Sequence, residues 1–74
     1  MNLEKLVRMA NQIAVFFAHE GPEKAPASVA DHLQKFWEPR MRAELSAAVE
    51  SGRAAGLDPL ALAAVRQLAA VASK

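Results

Sequence analysis

Leu33-Gln34-Lys35-Phe36-Trp37-Glu38-Pro39-Arg40-Met41-Arg42-Ala43-Glu44-Leu45 is the stretch whose reading decides the architecture. Apolar side chains recur at helical spacing on both sides of one proline. Pro39 has no backbone N–H, and its ring would clash with the carbonyl four residues back, at Lys35. The stretch therefore reads as two helices that meet at a break near Glu38, with Pro39 opening the second. Before the break, Val29, Ala30, Leu33, Phe36 and Trp37 form an apolar edge. After it, Met41, Leu45, Ala48, Val49 and Gly52 continue at helical spacing.

Working outward, the same period fills most of the chain. Ser28-x-x-Asp31 has the form of a capping box, with Asp in place of the usual Glu; alternatively Pro26 opens that helix at its first turn. Residues 20–27 read as a loop, entered through the stop signal Gly21-Pro22. Upstream, Leu3, Leu6, Val7, Ala10, Ile13, Ala14 and Phe17 follow the i, i+3, i+4, i+7 rule, and Val15 and Phe16 widen the stripe. Asn2 is a suitable cap for this helix, and Glu4 suits its first turn. Downstream, Gly52 and Gly56 are natural C-cap positions. Asp58-Pro59 restarts a helix over 58–73, with Asp as N-cap and Pro at the first helical position. Its apolar rows are Leu60, Ala64, Leu68 and Val71, widened by Leu57, Ala61, Val65 and Ala72. No alternating β-branched run competes, and no internal repeat occurs. The expectation is an all-α single domain over residues 1–74: a bundle of three to four short helices, broken at Pro39 and restarted at Asp58-Pro59.

Composition limits what such a bundle can do. The chain has 74 residues, 53% of them hydrophobic, but 17 of those are alanine. An alanine buries one methyl, whereas a Leu or Phe stabilises by roughly 1.5–3 kcal/mol when fully buried. A chain this small sits near zero net stability without a staple. It has no cysteine, hence no disulfide and no thiolate metal site. Oligomerisation or docking onto a partner is the remaining source of stability. Ten of the 17 alanines lie from Ala47 onward, while every Phe and the Trp precede it. The core is therefore expected in the N-terminal half, closed by the Phe36–Arg42 corner. Residues 57–74 are expected to be loosely held in the free protein and better ordered in an assembly. No apolar run approaches the ~18 residues of a membrane span. The early Glu4 and the lack of a long apolar stretch argue against a secretory signal, so the expected location is the cytoplasm.

Residue types that carry chemistry are sparse. His19 and His32 have neither HxxxH nor HExxH spacing, and read as surface or capping histidines. Ser28 has a capping task, Ser73 lies at the chain end, and Ser46 has no Gly-rich elbow. Three glycines make no phosphate-cradling loop. No catalytic, cofactor-binding or metal-ligating residue is therefore assigned. The charges largely answer one another at helical spacing: Glu4–Arg8, Asp31–Lys35, Glu38–Arg42, Glu50–Arg53 and, in the weaker order, Arg40–Glu44. With a net charge of +1, this leaves little basis for nucleic-acid binding.

Two stretches ask for more than a packing role. In Met9-Ala10-Asn11-Gln12-Ile13, an Asn sits mid-helix beside the apolar stripe. Either it is solvated, or it bonds across to another helix or to a partner's backbone. In Phe36–Arg42, the only Trp, a Phe, a Met and two Arg surround the helix break. Trp and Arg are enriched at interface hot spots, and Met suits adaptable surfaces. Phe36 and Trp37 also fit a core corner; Arg40 and Met41 sit where a rim would be.

These stretches resemble a known family. Met9–Ile13 followed by Phe16-Phe17, then His32-Leu33-Gln34-Lys35-Phe36-Trp37-Glu38-Pro39-Arg40-Met41-Arg42, then Gly56-Leu57-Asp58-Pro59-Leu60, are similar to the delta subunit of NAD-dependent formate dehydrogenase. The order and overall length also agree. The family more often has Asp where this chain has Glu38. The resemblance implies a small accessory subunit of a molybdenum- or tungsten-containing enzyme. The larger subunits would carry the pterin, iron–sulfur clusters, flavin and NAD site, with no cofactor in this chain. It implies a role in assembly, cofactor loading or stability. Asn11, Gln12, Phe36, Trp37, Arg40, Met41 and Arg42 are the expected contact residues toward those larger subunits. Trp37 is expected to pack, and Arg40 and Arg42 to reach partner carboxylates or carbonyls. Two readings of other kinds are a self-assembling helical protein packed through alanine-rich faces and, further off, a small nucleic-acid-binding helical domain.

Overall fold

The computed structural model describes the backbone of residues 2–72 and the side chains of residues 2–70. Four helices follow in order: α1 (Leu3–Phe17), α2 (Ala25–Phe36), α3 (Pro39–Glu50) and α4 (Pro59–Ala72), with a single 3₁₀ turn (Ala18–Glu20) after α1. The described residues contain no strand. Ser73 and the side chains of Val71 and Ala72, which belong to the expected last helix, lie outside the described residues.

Local chemistry sets most of the boundaries. The Asn2 side chain accepts from the backbone N–H of Glu4 at 2.7 Å, capping α1. Asp58 does the same for α4, accepting from Leu60 N–H at 2.8 Å, with Pro59 opening the helix. Between α2 and α3, Trp37 and Glu38 are both extended, with ψ of 141° and 149°. The residue before a proline is pushed there sterically, so the break falls where Pro39 places it. At the end of α3, Gly52 takes φ 74°. Arg53 N–H reaches Ala48 O at 2.8 Å and Gly52 N–H reaches Val49 O at 3.3 Å, the paired bonds of a Schellman motif. Gly56 caps no helix: it turns the α3–α4 loop at φ 84°.

The start of α2 corrects the capping-box alternative. The helix begins at Ala25 with Pro26 in its first turn, so Pro26 opens it and residues 25–27 are helical rather than loop. Ser28 therefore lies inside the helix. Its hydroxyl donates to the Glu20 carboxylate, tying the 3₁₀ turn to α2 instead of capping.

Burial extends the core beyond the expected N-terminal half. The buried apolar residues are Leu6, Ala10, Ala14, Ala25, Val29, Ala30, Leu33, Trp37, Leu45, Ala48, Ala61, Ala64 and Val65. More than half of these are alanine, and three of them belong to α4. Meanwhile Phe16 and Phe36 are 71% and 72% exposed. The interior is thus shared by both halves of the chain, and α4 packs chiefly against α2. Alanine allows helix axes to approach closely. Trp37 is the ring that lies in the interior, with Phe17 packed against the core.

Candidate protein-docking site

The helical register of α1 carries apolar side chains over an arc wider than one core contact can cover. Leu6, Ala10 and Ala14 point inward. Met9, Ile13 and Phe16 lie to one side of that row. On α2, Val29 and Leu33 are buried, while His32 and Phe36 turn toward the same side as the α1 excess. An open apolar groove of about 430 Å³ results. Met9, Gln12, Ile13, Phe16 and Phe17 form its α1 wall; His32, Phe36 and Trp37 form the α2 wall.

The rings run in series across the groove. Phe16 and Phe17 meet edge-on, with centroids 5.1 Å apart at 87°. Phe17 and His32 follow at 6.1 Å and 62°, then His32 and Phe36 at 4.7 Å and 38°. Edge-to-face and tilted contacts of this kind suit the ring quadrupoles. Trp37 is only 6% exposed, so it supports the wall from behind.

The seven residues expected at a partner contact separate into two groups. Gln12, Phe36 and Arg40 are exposed, and Gln12 and Phe36 both line the groove. Trp37 belongs to the core, and Met41 is half-buried against it. Asn11 is spent within the chain: its amide N–H donates to Gly56 O at 2.9 Å, and its carbonyl accepts from Asp58 N–H at 2.7 Å. Of the alternatives left open for Asn11, this is the bond across to another segment, and it fastens α1 to the start of α4. Arg42 is also turned inward. Its guanidinium donates to the carbonyls of Trp37, Gln34 at 3.1 Å and Leu33 at 3.4 Å. Pro39 ends the helical ladder: Leu33 O still accepts from Trp37 N–H at 2.9 Å, whereas the carbonyls of Gln34 and Trp37 receive no backbone donor. Arg42, from the first turn of α3, supplies them, with its charge at the negative end of α2.

Sequence reading did not single out Met9, Ile13, Phe16, Phe17 or His32 as site residues. The available signal was the excess width of the α1 stripe. Among the described residues, no group of three or more His, Cys, Asp or Glu side chains could hold a metal ion. No helix among them is long and apolar enough to cross a membrane. Asp31–Lys35, at 3.1 Å, is the ion pair that forms; the other acid–base spacings close no ion pair within the described residues.

Fold and groove define a small four-helix protein with an exposed aromatic face. The chain belongs to the family of NADH-dependent formate dehydrogenase delta subunits (FdsD), whose family model matches residues 5–65. Membership implies larger partner subunits. No curated protein and no solved structure gives a significant match to the chain.

Proposed function

We propose that this chain is a non-catalytic accessory subunit that binds the larger subunits of a formate dehydrogenase and supports their assembly, cofactor loading or stability. The family match over residues 5–65 carries this reading. The pterin, iron–sulfur, flavin and NAD chemistry belongs, in this reading, to the larger subunits, and the complex works in the cytoplasm. Phe36, Gln12 and Arg40 make the outward contact. Trp37, Met41 and Arg42 hold that surface in place from behind, and Asn11 fastens α1, one of its walls, to the start of α4.

Co-production of the larger subunits with and without this chain tests the reading. Omitting the chain is expected to lower the yield of assembled complex, its molybdenum or tungsten and iron content, or both, together with formate-dependent NAD reduction. The isolated chain is expected to show no turnover. A fully loaded, fully active complex formed without it would overturn the proposal, as would turnover by the chain alone. Arg40→Ala is the cleaner surface probe, since Arg40 is exposed. Met41→Ala also removes core contacts, so its effect on association has to be read beside its effect on stability.

A further inference from the structure

Two lysines stand beside the groove, Lys5 unpaired among the described residues and Lys35 paired with Asp31. Lys5 lies on the Met9–Gln12–Phe16 row of α1, one turn before Met9. It is exposed and forms no ion pair among the described residues. Lys35 lies on the α2 side, one residue before Phe36, and shares its charge with Asp31 in a pair whose side chains are 66% and 61% exposed. No carboxylate lines the groove itself; His32 is its one titratable wall residue.

Shape and charge together select the occupant. The wall has eight residues, a surface the width of one helix face rather than of a standard interface of roughly 20–30 residues a side. A two-fold contact of the face with itself would set the lysine rims against each other. An open trough between two helices instead suits a third helix, read through apolar anchors at i, i+3 or i+4, and i+7. We propose that the groove docks one amphipathic helix of a larger subunit, its apolar anchors between Phe16 and Phe36 and its carboxylates beside Lys5 and Lys35. This rests on the accessory-subunit reading and adds the face and the chemistry of the contact.

The test measures affinity of the full chain for the assembled larger subunits at low and high salt. Phe36→Ala is expected to weaken binding about tenfold or more, as loss of a buried anchor does. Lys5→Glu is expected to weaken it severalfold at low salt, with the deficit shrinking at high salt. Two controls sit on the other side of α1, where Val15 and Arg8 line a separate depression. Val15→Ala and Arg8→Glu are expected to bind within about twofold of the parent, as substitutions outside an interface do. A photo-crosslinker at position 36 is expected to mark a partner helix with flanking carboxylates. Parent-like binding by both groove variants would overturn the groove while leaving the accessory reading intact. Equal losses in the controls, or crosslinking to a second copy or to a segment without acids, would do the same. Failure of the unaltered chain to bind would overturn both.

Discussion

The two faces of α2 use opposite materials. Toward α4, the fully buried side chains on the α4 side of the seam are small, Ala61, Ala64 and Val65, with Leu60 and Leu68 partly buried beside them. Toward the groove, α2 presents His32 and Phe36 beside the Phe16–Phe17 pair. Alanines lie inside beside Leu6, Leu33, Leu45 and Trp37, while two of the three phenylalanines are outside. In this chain, side-chain size does not decide burial: Ala61 and Ala64 are buried, Phe16 and Phe36 exposed. Each buried alanine contributes about 0.8 kcal/mol for its methyl, so the seam is tight in geometry and modest in energy. An exposed Phe forgoes roughly 1.5–3 kcal/mol of burial, and a docked partner would recover it. The seam serves the fold, and the groove is the face left for a neighbour.

Substitutions on the two faces sharpen that contrast. The largest stability loss is expected at the residue between them: Trp37→Ala should cost about 3–5 kcal/mol, enough to leave so small a domain largely unfolded by circular dichroism at 25 °C. In the seam, Ala64→Leu should overpack a fully buried site and cost about 1–3 kcal/mol, read as a fall in the denaturant midpoint. A parent-like midpoint would mean the seam is looser than described. Asn11→Ala removes two bonds to the α3–α4 loop and should cost about 1–2 kcal/mol. It should raise hydrogen exchange first in α4. In the unaltered chain, too, α4 should exchange faster than α2, because its fully buried side chains are all small (Ala61, Ala64 and Val65); equal protection would count against this. The smallest stability effect belongs to the groove, where Phe36→Ala should fall within about 0.5 kcal/mol of the parent.

The elements themselves were legible in the sequence because their signals are local. Asn2, Pro39, Gly52 and Asp58-Pro59 act on backbone groups within a few residues, and each marks a boundary where the pattern puts it. Ser28 misled because its hydroxyl finds Glu20, eight residues away, rather than its own helix terminus. The pairings of Asn11 with the loop 45 residues on, and of Arg42 with the end of α2, depend on how helices meet, which spacing alone does not encode. The same holds for the core. Composition counts apolar residues, but only the helix approach decides that Ala64 goes in and Phe36 stays out. The docking corner was half visible: Phe36 and Gln12 lie in the groove, while its α1 wall is formed by residues that read as ordinary stripe.

The most direct test of the central claim is a paired measurement on the Phe16→Ala/Phe36→Ala chain: its unfolding free energy, and its affinity for the assembled larger subunits. Stability within about 1 kcal/mol of the parent is expected, together with at least a tenfold loss of affinity. A stability loss of several kcal/mol with affinity unchanged would contradict that claim, and would return the two rings to the core.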